Sequence, residues 1–272
     1  VPLQNDATDF IIKDINKDKL YEFLREMEFN RLLSQAISFY GEPTAKNLKG
    51  ITSEKKLPRI DRKSYKSILK ESELDALIKE LNEKTVIAVD TETSSLNPQE
   101  ASLVGISISH EISKAHYIPV GHKEVDGLKK ELVLKKLKTI LEDPSIKKVG
   151  QNIKYDFIIF KNHGIELNSM EDTMLLSYTL DAGNNRHNMD TLSEIHLGHK
   201  TIAYKDLVGT GKKQLNFSEV DLKSATEYAA EDADITLRLY KKLSERVEQE
   251  KLNKIYEIFE KPMITILSKL EN

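Results

Sequence analysis

Apolar residues recur along the chain with two different periods, and the switching between them outlines its elements. Leu20, Phe23, Leu24, Met27, Leu32, Leu33 and Ile37 fall mostly three or four apart, which predicts an apolar helix face over residues 18–40, ended by Gly41, Glu42 and Pro43. Leu74, Leu77, Ile78 and Leu81 repeat that period. Val86, Ile87, Ala88 and Val89 instead form an unbroken, β-branched run, the pattern of a strand covered on both faces. Residues 103–108, 116–120 and 147–149 read as further strands, with 109–115 as the turn region between the first two. Helical spacing returns at 129–142, 152–163, 172–180, 189–197 and 222 to about 252, and Pro262 starts or kinks a last helix. Strands lead and helices follow, so the expected class is α/β or α+β around one mixed sheet.

Composition narrows the setting. With 272 residues, 39% hydrophobic and 31% charged, the chain can build one large domain or one domain with appendages. No run approaches the roughly 20 apolar residues of a membrane span and no signal-peptide pattern opens it, so a soluble, cytoplasmic chain without membrane contact is expected. It begins at Val1 and stops at Asn272 within an amphipathic pattern, which reads as a fragment of a longer protein. The absence of cysteine excludes disulfides, thiolate metal sites and cysteine nucleophiles, leaving oxygen or histidine to hold any metal. A net charge of −3 argues neither for nor against nucleic acid, because 41 basic residues suffice for a local groove.

Between Thr44 and Lys70 nine Lys or Arg face only Glu54 and Asp61, with Gly50 and Pro58 interrupting, which predicts a solvated basic linker. Gly209, Thr210, Gly211, Lys212 and Lys213 tempt a phosphate-loop reading. A Walker A motif needs glycine and Ser/Thr where Asp206 and Lys213 stand, so a basic, flexible loop is expected instead.

Candidate chemistry lies in three acidic segments. Asp90 and Glu92, two apart at the end of the Val86 run, point to one side of a strand and can share a cation. Roughly seven acid-x-acid pairs arise by chance in such a chain, so strand-end or capping roles fit the pair as well. Asn152 and Asp156 are four apart, on one face of a predicted helix, or else Asn152 caps that helix and Asp156 is solvated. Tyr228 and Asp232 are also four apart, whereas Glu231 and Asp234 point elsewhere, and Ala229, Ala230 and Ala233 would let this helix approach a sheet closely. Packing plus a solvated charge is the alternative there. His187, His196 and His199 fit no metal spacing and are assigned to surface and loop roles.

In the order DxE, NxxxD, YxxxD, these segments resemble the motifs of the DnaQ-like exonuclease superfamily in its tyrosine-containing branch. The stretches AVDTETSSLN, KKVGQNIKYDFIIF, EDTMLLSYTLDAG, RHNMDTLSEIHLGHKTI and ATEYAAEDADITLRLY resemble the 3′-5′ proofreading domains of the bacterial DNA polymerase I family. The resemblance implies an exonuclease domain over 65–250 with a ribonuclease H-like, mixed five-stranded sheet flanked by helices. It also implies a helical appendage over 1–40 left from a preceding 5′-nuclease domain, a linker over 41–64, and the start of a polymerase domain over 251–272, where EKPMITILSKLEN resembles its first helix.

For the site, the resemblance implies that Asp90, Glu92 and Asp232 bind one Mg²⁺ or Mn²⁺, that Asp90 bridges to a second ion, and that Asp156 supports the second through water. Two such ions suit in-line phosphoryl displacement and an all-oxygen donor set. Tyr228 would orient the attacking water, since an unperturbed phenol, with a pKa of about 10, is protonated near neutrality. Leu96 would wedge against terminal bases and Tyr204 would stack on one, while Thr93, Gln151, Asn152, Lys154, Tyr155 and Arg186 match positions that hold the strand end or its phosphates. The expected partner is a single-stranded or frayed DNA 3′ end, the product a nucleoside monophosphate, and the fragment a monomer. A catalytically silent scaffold and an RNA-trimming, ribonuclease D-like exonuclease are the alternatives; the 209–217 segment and the polymerase-like tail speak against the latter.

Overall fold

The structure, a computed structural model, describes residues 15–27, 29–41 and 57–271, which fall in two units, 1–56 and 57–272. The basic stretch over 42–56 lies outside the described residues. In the smaller unit the expected helix is two, α1 (Lys17–Glu26) and α2 (Asn30–Tyr40). Asn16 caps α1 by accepting from the Lys19 amide, and the break after Glu26 lets Tyr21 and Leu24 bury against Ala36. A single helix would hold those residues too far apart along its axis to touch.

The larger unit is built on a six-stranded sheet in the order β1-β4-β3-β2-β5-β6. Its strands are β1 (Lys66–Ser67), β2 (Val86–Thr93), β3 (Leu103–Glu111), β4 (Lys114–Pro119), β5 (Lys147–Gly150) and β6 (Met170–Asp172). β2 pairs antiparallel with β3 and parallel with β5, and β3 pairs antiparallel with β4. The sheet has six strands where the resemblance implied five: the four that the apolar pattern outlined are joined by the short β1 and β6, which carry no periodic signal of their own. The turn expected over 109–115 is much tighter, because β3 and β4 extend into it and Ser113 takes a positive φ of 67°.

Helices α3 (Glu71–Leu81), α4 (Lys130–Leu141) and α5 (Lys154–Asn162) share a core with the sheet, in which Leu74, Leu81, Leu137 and Phe160 join Ile87, Val89 and Ile106. After β6 come α6 (Thr173–Asp181), α7 (Met189–Leu192), which runs on as a π-helical turn, and α8 (Tyr204–Val208). The opposite face of β2 is covered by α9 (Leu222–Gln249): Ala88 and Val149 pack on Leu237, and Ala225 and Ala229 pack with Val104 and Tyr117. Alanine at the contact positions brings the α9 backbone close to the strands. Cover on both sides is why Val86–Val89 reads as unbroken apolar sequence. Short α10 (Asn253–Ile255) leads through Tyr256, whose hydroxyl donates to Glu171 at 2.9 Å, to α11 (Pro262–Leu270), with Pro262 at its first turn. Among the described residues no helix is long and apolar enough to cross a membrane.

Two of the three acids clustered on α9 hold this frame together. Asp234 accepts from the Tyr65 hydroxyl at 2.9 Å, the Ser113 amide at 2.8 Å and the buried Arg238 guanidinium at 3.0 Å, fastening α9 to the segment before β1 and to the β3-β4 turn. Glu231 accepts from Arg62, His199 and the Ile202 amide. Asp234→Ala leaves the Arg238 charge, 2% exposed, without its carboxylate. The expected loss is about 3–5 kcal/mol, measured as a lower midpoint of urea unfolding with an unchanged slope.

Candidate active site

The parity of β2 decides which of its side chains meet α9. Ala88 packs on Leu237, so Asp90 and Glu92, two and four residues further along the strand, face the same helix. They lie within β2 rather than beyond its end, since pairing with β3 continues from Ala88 to Thr93. Asp232 comes from α9, and carboxylate oxygens of Asp90, Glu92 and Asp232 all lie within 4.8 Å of one another. Asp156 stands outside that trio. It is buried on α5 and its carboxylate takes the Thr91 hydroxyl at 2.5 Å, yet it is close enough for the Asp90 charge to act on it.

Like charges gathered away from water resist ionisation. Glu92 is buried; Asp90 and Asp232 keep a solvent-facing edge but are ringed by protein atoms. Burial pushes Asp90 up to about 6. Glu92, Asp156 and Asp232 are pushed well above the carboxylate range, first by burial and then by the charge of Asp90. Among the described residues no lysine or arginine pairs with the trio. Such a cluster fits a hard divalent cation, which supplies the missing positive charge and prefers an all-oxygen set.

Tyr228 lies one turn before Asp232, whose charge acts on its hydroxyl. Burial, then the Asp232 charge, raise its phenol far above its ordinary range, so it stays protonated. Its ring belongs to an aromatic group: Phe217 and Tyr204 each lie 6.0 Å from it, and Tyr204 stacks on Phe217 with planes 6° apart. Tyr117, which also packs on Phe217, is admitted only because Gly105 has no Cβ; one there would fall 2.1 Å from the Tyr117 hydroxyl.

Of the residues expected to touch substrate, Leu96 is 96% exposed in the loop after β2, and Tyr204 is 43% exposed. The Tyr155 hydroxyl bonds Thr93 and the Ser95 carbonyl at 2.5 Å each, pinning the base of the Leu96 loop, and Asn216 ties the Ser94 carbonyl from the other side. Gln151 is engaged internally, donating to the His187 carbonyl at 2.7 Å and accepting from Thr173. Lys154 is paired with Glu271 at 2.5 Å, and Arg186 is exposed and has no ion pair among the described residues. Asn152 and Asp156 do not share a helix face: Asn152 has a φ of 61° and α5 starts at Lys154, because Asp172 accepts the Asn152 and Ile153 amides at 3.0 Å each. Nor does the Asn152 side chain cap the helix. Three residues next to the site had escaped sequence reasoning. Thr91 was hidden between two acids, Phe217 lay in a polar loop, and Asn216 had no local signal at all.

Comparison with known proteins gives a family model described as 3′-5′ exonuclease over residues 65–248. A DNA polymerase I of Rhizobium leguminosarum is 41% identical over 78% of this chain and 23% of its own length, and that of Pseudomonas aeruginosa 36% identical over 95% and 30%. The chain thus spans about a quarter to a third of these relatives. Among solved structures, Brucella melitensis NrnC bound to pGG aligns with TM-score 0.55 and 25% identity over 70% of this chain and 85% of its own. Escherichia coli RNase D, an exoribonuclease, aligns with TM-score 0.56 and 20% identity over 75% and 50%; at that identity the likeness is one of fold.

The charge cluster has a measurable effect on stability. Because the folded state raises Asp90 from 3.8 to about 6, its contribution is present in acid and lost as pH climbs through that interval. Asp90→Asn is therefore expected to stabilise the cation-free chain at pH 7.5 by about 1–3 kcal/mol. The gain should be smaller at pH 4.5, both read from thermal unfolding in chelator.

Proposed function

The chain belongs to the 3′-5′ exonuclease family, and from that membership we propose that it removes nucleotides one at a time from DNA 3′ ends as the proofreading segment of a DNA polymerase I. The observation that carries the reading is the trio Asp90, Glu92 and Asp232, with oxygens within 4.8 Å and, among the described residues, no basic partner, one turn of α9 from a protonated Tyr228. Asp90, Glu92 and Asp232 are the direct ligands for a pair of Mg²⁺ or Mn²⁺ ions, and Asp156, held by Thr91, the outer support. Such ions, when bound, neutralise the carboxylates and lend Lewis acidity to the scissile phosphodiester.

The chain's own groups have separate tasks. Tyr228 stays protonated, so it aims the attacking water through its hydroxyl and does not act as its base. Leu96 offers an exposed apolar wedge to the terminal base. Tyr204 offers a ring face, which stacks on any base and so tolerates any sequence. Thr93 and Tyr155 steady the wedge loop. Gln151, Asn152, Lys154 and Arg186 line the approach of the strand, with Lys154 exchanging Glu271 for a phosphate.

The substrate is a single-stranded or frayed 3′ end and the product a nucleoside monophosphate. Residues 65–250 form the exonuclease domain, 1–40 the end of a 5′-nuclease domain, 41–64 a linker and 251–272 the start of a polymerase domain, in a cytoplasmic protein working at the nucleoid, and the fragment by itself is a monomer. The likeness of fold to RNase D supports an RNA-trimming alternative, and the length and names of the polymerase relatives favour DNA. A silent scaffold would have no reason to keep an unneutralised acid trio.

With 5′-labelled single-stranded DNA and Mg²⁺, the products should shorten stepwise from the 3′ end, and matched RNA should be cut at least about tenfold more slowly. Asp90→Ala should lower kcat by about a thousandfold or more, and Tyr228→Phe by about ten- to a hundredfold with KM unchanged. Equal, negligible rates for the parent chain and Asp90→Ala would sink the reading.

A further inference from the structure

Arg62 lies outside the matched span 65–248, in a stretch whose composition reads as linker, yet its guanidinium reaches a fully buried acid next to a candidate metal ligand. Its Nε and Nη2 stand 2.8 and 2.7 Å from Glu231 Oε1. The other oxygen of Glu231 accepts the Ile202 amide at 2.9 Å, and His199 Nε2 is 2.8 Å from the first. Ser193 donates to the His199 carbonyl at 2.8 Å and Thr201 to Asp190 at 2.6 Å. Every residue from His199 to Ile202 is therefore tied down, since Arg62 Nη2 also leans on the Lys200 carbonyl at 3.4 Å. Two residues later Tyr204 opens α8, its ring against Phe217 and Tyr228.

We propose that Arg62, through Glu231, is a positioning residue for substrate, because it fixes the 199–202 segment that sets the Tyr204 ring where a terminal base stacks. The inference rests on the nucleic-acid reading given above. Arg62 is itself braced: Asp61 caps its 3₁₀ turn by accepting the Lys63 amide at 3.0 Å, and Ser64 donates to the Ser113 carbonyl at 2.7 Å. A guanidinium offers two donors to one carboxylate oxygen in a rigid plane, which an ammonium cannot reproduce. Removing it leaves Glu231 buried beside Asp232 with only His199 and one amide, and frees the chain leading into Tyr204 to shift. Asp90, Glu92 and Tyr228 are untouched by that change and Asp232 keeps its place on α9, so the effect is expected on binding rather than on the chemical step.

The experiment compares Arg62→Ala and Arg62→Lys in the 272-residue chain with the same changes made in a Tyr204→Ala background. KM and kcat are read on single-stranded DNA with Mg²⁺, and Kd by anisotropy of a 5′-fluorescein oligonucleotide in chelator. Arg62→Ala should raise KM and Kd about tenfold and leave kcat within twofold, Arg62→Lys should raise them about threefold, and neither should add anything once Tyr204 is alanine. A rise of equal size in both backgrounds, a fall in kcat in place of the rise in KM, or no change at all would overturn the assignment. Should Arg62→Ala not fold, Arg62→Lys decides by the same criterion. A parent chain that hydrolyses no DNA would count against the nuclease reading, and the anisotropy series would still decide the role of Arg62.

Discussion

Carboxylates that repel one another are held together at the centre of this molecule, and most of the surrounding architecture serves to keep them there. Asp90, Glu92 and Asp232 have oxygens within 4.8 Å and, among the described residues, no basic partner, an arrangement that folding alone would not favour. It is tolerated because both supporting elements are over-determined. β2 is paired on both sides, by β3 and β5, and covered on both faces. α9 is seated on the sheet by alanines, which leave no side chain to hold the two backbones apart. The free energy lost at the cluster is offset by the core around it, and a divalent cation would turn the repulsion into attraction.

Three acids within four residues of α9 show how neighbouring groups of similar chemistry are kept apart in role. Glu231 and Asp234 each find cationic and hydrogen-bonding partners, Arg62 with His199 for one and Arg238 with Tyr65 for the other. Among the described residues Asp232 has no cationic partner and meets two more carboxylates. Electrostatics thus separates the two that build the frame from the one left to bind something. The same pair of frame acids also carries the frame into the site, since Glu231 grips the segment leading to Tyr204 and Asp234 grips the turn between β3 and β4.

Much of this was legible in the sequence where one residue's neighbours in the chain decide its environment. The Val86–Val89 run announced a strand buried on both faces, and the four-residue spacing of Tyr228 and Asp232 singled out the acid whose oxygens meet those of Asp90 and Glu92. Where distant residues decide, local pattern misled. NIKYD reads as helix from its first residue, but Asp172, twenty positions on, takes the Asn152 and Ile153 amides and delays α5 to Lys154. Met170–Asp172 is too short and too polar to announce a strand, and only pairing with β5 makes it one. The partners of Glu231 come from residues 62, 199 and 202, which no period links to it. The residues expected to touch substrate came from family resemblance, and they differ in the structure: Leu96 and Tyr204 offer free surface, whereas Gln151 and Lys154 are occupied by protein groups.

If the acid trio holds divalent cations at a reacting phosphodiester, Mn²⁺ should occupy it, and anomalous diffraction from crystals of the chain soaked in Mn²⁺ with a nucleoside monophosphate would locate the ion. Manganese is expected bonded to oxygens of Asp90, Glu92 and Asp232, with the nucleotide phosphate beside it. Manganese found only elsewhere, with the trio protonated and hydrogen-bonded to itself, would contradict that role.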